Sequence, residues 1–200
     1  MNMTFLVIAS AVALLSCSST QLTAYRQTRD TPPAAYKKIL VLGMMPDSAL
    51  RQRMESHVAG DLTDAGMTAV TSFQAFDAFE FLKTEDKVPT GQFADKGIDA
   101  VLTISLINKT TEGVFLPVSL YQLLTDQYAS EYYWLLAPEL RREETRYAWE
   151  SSLYEVADGT RKFAVQSVSF APESQEKMAH AYGKMLVREL LRRKAISRPK

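Results

Sequence analysis

"YKKILVLGMMPDSALRQRMESHVAGDLTDAGMTAVTS", residues 36–72, opens on an apolar run, 39–42, that is continuous rather than alternating. That pattern belongs to a strand buried on both faces, inside a sheet. Pro46 and Asp47 break the strand, and Asp47 or Ser48 can cap a helix. Leu50, Met54, Val58 and Leu62 then recur every four residues, with Ala65 extending the stripe, while Arg51, Gln52, Glu55, Asp61 and Asp64 fall largely on other faces. An amphipathic helix over about 47–65, laid against the sheet, is the expectation. Gly66 is placed to end it in a left-handed conformation. Residues 67–72, "MTAVTS", supply a short second strand. Strand, helix and strand in so short a span form a βαβ-like unit if the strands are parallel.

Further along, 73–97 is ambiguous: "FQAFDAFEFLK" suits a short packed helix, and "TGQFADKG" another helical turn ending at Gly97. "IDAVLTISLINK", 98–109, is a strong strand. Residues 145–156 and 161–170 form a strand pair around Asp158-Gly159, a hairpin signal. The first of the pair places Tyr147, Trp149 and Leu153 on one face and Arg146, Glu150 and Ser152 on the other. A last helix covers 173–195 behind Pro172, with Met178, Tyr182, Met185, Leu186 and Leu190 on one stripe. The order β-α-β-(α)-β-β-β-α predicts an α/β fold with a mixed sheet and helices packed on it.

Upstream, 5–15 reads "FLVIASAVALL", an apolar run of the length found in signal peptides and well short of the roughly 20 residues that span a bilayer. Leu14-Leu15-Ser16-Cys17 follows, and Cys17 is the only cysteine. These four residues resemble the bacterial lipoprotein signal. The resemblance implies cleavage before Cys17, a diacylglycerol on its sulfur and acylation of the new amino terminus. A thiol so used leaves none for a disulfide, a metal site or nucleophilic catalysis. By resemblance to enterobacterial sorting, Ser18, which is not Asp, implies the outer membrane.

The expected layout is therefore a signal peptide at 1–16, the lipidated Cys17 with a polar tether through 35, one α/β domain at 36–196 with an insertion at 110–143, and a basic tail at 197–200. Lys plus Arg and Asp plus Glu are equal at 23 each, so no overall field attracts nucleic acid.

Signatures of chemistry are sparse. His57 and His180 fall in the first and last helices, outside any spaced metal motif, and no metal ligand, cofactor site or catalytic residue is assigned. Gly43 stands where a phosphate-binding loop would, yet "GMMPDS" has neither glycine-rich fingerprint. Were a ligand to bind, residues 43–47 and 71–73, at the carboxyl ends of adjacent strands, would be its walls. Glu80, Glu85, Asp86, Glu139, Glu143 and Glu144 are scattered carboxylates without a pairing pattern. The final helix carries Lys184, Arg188, Arg192, Arg193, Lys194, Arg198 and Lys200 against one acid, Glu189. Such charge complements the helix macrodipole, and it also suits anionic headgroups beside the anchor.

Residues 110–140, "TTEGVFLPVSLYQLLTDQYASEYYWLLAPEL", contain no Lys or Arg. Phe115, Tyr121, Tyr128, Tyr132, Tyr133 and Trp134 make this segment the candidate partner surface, since Tyr and Trp are common interface anchors.

The Tyr-Lys-Lys strand, the helix bearing Arg and Glu, "GIDAVLTISL" and "YAWESSLYEVADGTRKFAVQSVS" resemble a group of uncharacterised bacterial lipoproteins over about 36–196. The fold also resembles the sheet-and-helix module of the curli secretion lipoprotein and the amino-terminal domain of the Tol-Pal translocation protein. The resemblance implies an assembly or interaction module and carries no catalytic residues with it. Two functions are in view. One is a non-enzymatic, lipid-anchored envelope protein that binds another envelope protein or a surface component; the other is a periplasmic hydrolase of an envelope polymer, with its site near Gly43 and Ser72.

Overall fold

The computed structural model describes residues 20–27, 34–76, 90–107, 146–170 and 173–198. In chain order they form β1 (Thr20–Gln27), β2 (Ile39–Met44), α1 (Ser48–Asp64), β3 (Ala69–Thr71), α2 (Ser72–Ala75), α3 (Thr90–Asp95), β4 (Ala100–Ile107), β5 (Arg146–Glu155), β6 (Arg161–Phe170) and α4 (Gln175–Arg192). The six strands lie in the order β1-β6-β5-β4-β2-β3. β2 runs parallel to both β3 and β4, and the remaining pairs are antiparallel. The chain is thus the mixed α/β fold its sequence predicts.

The continuous run in β2 has the expected cause. Ile39 and Val41 enter one core with α1 and α4, while Leu40, Leu42 and Met44 enter a second with Phe93, Ile98, Val101 and Tyr154. A strand with apolar neighbours on both faces cannot alternate, and each such side chain contributes about 1.5–3 kcal/mol by leaving water.

Asp47 caps α1 by accepting the Ala49 and Leu50 N–H groups, both at 3.0 Å. Gly66 (φ 89°) turns the chain out of the helix, and the Met67 N–H closes the turn on the Leu62 carbonyl at 3.0 Å. The predicted stripe, Leu50, Met54, Val58 and Leu62, is buried. Ser174 caps α4 through the Lys177 N–H, and all five residues of its predicted stripe are buried as well. α1 and α4 lie side by side over the same face of the sheet.

Between α4 and the sheet, the Tyr182 hydroxyl meets Ser151 Oγ at 2.7 Å, both fully buried, and burial raises the Tyr182 pKa. Tyr182→Phe should leave the Ser151 hydroxyl buried without this partner and lower stability by about 1 kcal/mol, measured by urea titration. An unchanged midpoint would contradict the pairing.

Two expectations need correction. The polar tether expected at 17–35 contains β1, which pairs antiparallel with β6 from Thr20↔Ser169 to Gln27↔Phe163. It is an edge strand of low apolar content, in which Thr20 is buried and Leu22 packs on the core while most other side chains are exposed. Backbone pairing to a distant strand holds it, and hydrophobic pattern does not register that. Thr20 Oγ1 to Ser169 Oγ at 2.7 Å and the Arg193 guanidinium 3.2 Å above the Tyr25 ring add side-chain anchorage. At the other terminus, the Ser197 N–H donates to the Ala34 carbonyl, so the expected tail begins inside the fold.

The polar face of β5 is covered as well. Glu150 and Ser152 are buried, as are Thr103 and Ser105 on β4, on the face that also carries Val101 and Tyr154 of the second core.

Among the described residues no helix is long and apolar enough to cross a membrane.

Candidate functional site

The carboxyl ends of β2 and β3 come together as expected, bringing residues 43–47 beside 71–73, but a side chain of the protein itself occupies the gap. Glu55, fully buried on α1, turns back over the strand ends. Its carboxylate accepts the Gly43 N–H at 2.8 Å, the Ser72 N–H at 2.8 Å and the Ser72 hydroxyl at 2.7–2.8 Å. Backbone N–H groups converging on an oxyanion are what a phosphate loop offers. Here they are aimed inward and already satisfied.

Gly43 is a glycine because of this closure. A Cβ there would stand 2.5 Å from Arg51 Cγ and 3.1 Å from Glu55 Oε1. Arg51 passes over the strand end, its Nε 3.9 Å from Glu55 and its guanidinium 4.0 Å from the Phe73 ring centroid. Thr71 and Gln74 close a capping box at the start of α2, which fixes the Ser72 backbone that Glu55 reads.

Burial raises the Glu55 pKa, against the lowering effect of the Gly43 and Ser72 hydrogen bonds and of Arg51. Ser72 donates its hydroxyl to that carboxylate, so the pair ties the strand ends to α1.

The structure also joins residues the sequence kept apart. His57 and His180 meet edge-to-face with centroids 5.6 Å apart, and His57 Nε2 lies 2.6 Å from Glu176 Oε1. Arg53 Nη1 donates to Gln175 at 2.7 Å. Below them, burial raises the Asp61 pKa while His180, Lys184 and His57 lower it. The carboxylate is housed where Gly183 lacks a side chain, 2.3 Å from the position a Cβ would take. Nothing in either helix's own spacing signals this polar seam, since its members sit on different helices. Among the described residues no group of three or more His, Cys, Asp or Glu is arranged to hold a metal ion.

Glu150, on the face of β5 opposite Trp149, accepts from Gln166 Nε2 at 2.8 Å and lies 3.8 Å from Arg161 Nη1, beside a cavity of about 120 Å³. Among the described residues Ala24, Arg26 and Ala164 also line it. A charge-bearing pair on adjacent β-strands is the signal that sequence reading passed over.

The basic end of α4 is partly used internally. Glu189 accepts from Arg192 Nη2 at 2.7 Å and from Arg193 Nε at 3.0 Å, and these arginines hold its carboxyl below the usual range. Arg188, Lys194 and Arg198 remain exposed. Cys17, Phe115, Tyr121, Tyr128, Tyr132, Tyr133 and Trp134 lie outside the described residues, as do the carboxylates at 80, 85, 86, 139, 143 and 144.

No protein-family model matches the chain, and no curated protein does. Among solved structures, the chain is similar to a point variant of the PelC dodecamer from Paraburkholderia phytofirmans, with TM-score 0.48, 11% identity and coverage of 84% of this chain and 98% of that one. A second crystal form of the PelC dodecamer from that organism gives TM-score 0.45 and 12% identity over 82% of this chain and 96% of its own. The lipoprotein GNA1162 from Neisseria meningitidis gives TM-score 0.41 and 16% identity, covering 80% of this chain and 99% of that chain.

Proposed function

We propose that this chain is a non-enzymatic, lipid-anchored module of the bacterial cell envelope. Acyl chains on Cys17 hold it to the outer membrane facing the periplasm, where it binds another envelope protein. The observation that carries this reading is the closure at Gly43 and Ser72. The hydrolase alternative needs an open crevice there, and Glu55 fills it with three hydrogen bonds of its own. The lipoprotein-like Leu14-Leu15-Ser16-Cys17 supports the anchor.

The partner surface in this proposal is the insertion carrying Phe115, Tyr121, Tyr128, Tyr132, Tyr133 and Trp134. The chain leaves the sheet at Ile107 and returns at Arg146, both at the end of the sheet where β1 begins. Partner binding would thus occur beside the anchor.

The test compares Tyr133→Ala and Trp134→Ala by recovery of cross-linked envelope partners and by thermal melting. Losing an interface hot spot costs more than about 1 kcal/mol of binding, whereas a core aromatic costs about 3–5 kcal/mol of stability. Lost recovery at unchanged melting temperature is the expected result. A large fall in melting temperature for both variants would make the segment core and send the search for the partner surface elsewhere.

A further inference from the structure

We propose that the folded domain is held close to the bilayer with the end of the sheet at which β1 begins facing it, and with the basic end of α4 pointing away. The proposal rests on the acylation of Cys17 proposed above. It deepens that reading by naming which surface faces the lipid.

The argument is one of chain length and strand direction. Thr20 is the first residue of β1, buried, paired with Ser169 and hydrogen-bonded to its side chain. Three residue steps separate it from Cys17, which span at most about 11 Å when fully extended. An acylated Cys17 lies at headgroup level, so Thr20 stays within about that distance of the interface. A tether of the length the sequence suggested would have let the domain tumble freely; β1 removes it.

The register identifies what shares that end. β1 is antiparallel to β6, β6 to β5 and β5 to β4, while β4 is parallel to β2. Thr20 therefore lies at the same end as Met44, Ile107, Tyr147 and Ser169. Both helices begin there: α1 follows β2 at its cap Asp47, and α4 follows β6 at its cap Ser174. The exposed Ala49 and Glu176 mark this end.

The basic cluster is carried to the opposite end. Arg193 stacks on Tyr25, five residues along β1 from Thr20, or roughly 17 Å at strand rise. Ile196 bridges Ala34, and the Ser197 N–H bonds to the Ala34 carbonyl, just upstream of the start of β2. The exposed Lys194 and Arg198 thus flank the end of the sheet where β2 starts. Headgroup contact beside the anchor, one sequence reading of these basic residues, does not fit this placement.

Cys17 is the sole cysteine, so its acylation leaves an introduced thiol as the only one reactive. Ala49→Cys and Arg198→Cys, labelled with a fluorophore, are reconstituted as the acylated full chain in phosphatidylethanolamine–phosphatidylglycerol vesicles containing a nitroxide-headgroup lipid. Quenching at 49 should exceed quenching at 198 several-fold. A Gly/Ser spacer of about 12 residues between Ser19 and Thr20, spanning roughly 20 Å, should remove most of that difference. Equal or reversed quenching without the spacer would overturn the orientation, and so would a difference that the spacer leaves intact. Mass spectrometry of the same samples separates the two claims: acylated Cys17 with reversed quenching sinks only the orientation, whereas unacylated Cys17 sinks the anchor and this inference with it.

Discussion

Glu55→Ala should lower stability by about 3 kcal/mol or more at neutral pH. The substitution leaves the Gly43 and Ser72 N–H groups buried beside a cavity, and each unsatisfied donor costs about 1–3 kcal/mol. At about 2–4 °C per kcal/mol for a domain of this size, the melting temperature should fall by roughly 6–12 °C. The pH dependence has a defined sign. Burial raises the folded pKa of Glu55 above its ordinary 4.5, so the unfolded chain loses this proton first as pH rises. The wild-type advantage over Glu55→Ala is therefore fully present below pH 4.5 and shrinks as pH climbs through the raised folded value. Glu55→Gln keeps an acceptor but sets an amide donor against one of the two N–H groups, so it should recover part of the loss and abolish the pH trend. If Glu55→Ala melts like the wild type, the carboxylate does not close the strand ends, and the crevice is open to substrate.

Trp149→Ala should be the most damaging core substitution, costing about 3–5 kcal/mol. Trp149 is fully buried, stacks on Tyr147 with centroids 5.8 Å apart and tilts against Tyr182 at 5.5 Å. Its indole N–H donates to Ser169 Oγ at 3.1 Å, and that hydroxyl in turn meets Thr20 Oγ1. The chain Trp149–Ser169–Thr20 ties the first residue of β1 into the core, so the effect is not purely volumetric. Trp149→Phe should lose less stability and yet speed amide exchange in β1, an edge strand paired to one neighbour whose Ser169 contact loses its indole donor. Unchanged exchange in β1 for both variants would show that Thr20 is held without this chain.

Much of the fold is legible because its determinants are local. The unbroken run in β2 reports burial on two faces, the four-residue recurrence from Leu50 to Leu62 reports one helix face, and Gly66 reports a turn with positive φ. β1 was not legible. Its residues bury little, and its evidence is a ladder to β6 about 140 positions away. Glu55 was placed on a helix face other than the apolar stripe, and its role depends on two strand ends that meet it only in the folded chain. The same holds for the meeting of His57, Asp61, His180 and Gly183, whose juxtaposition requires α1 and α4 to lie side by side. The pairing of Glu150 with Arg161 and Gln166 was not legible either, since it joins side chains of two strands.

The central claim is that Cys17 attaches this domain to a membrane. Its most direct test is growth with an alkyne fatty acid, followed by purification of wild type and Cys17→Ser and in-gel detection of the probe. Label on the wild type, none on Cys17→Ser, and recovery of the variant as soluble or unprocessed chain is the result this account requires. Equal labelling of the two proteins, or no label on either, would contradict it.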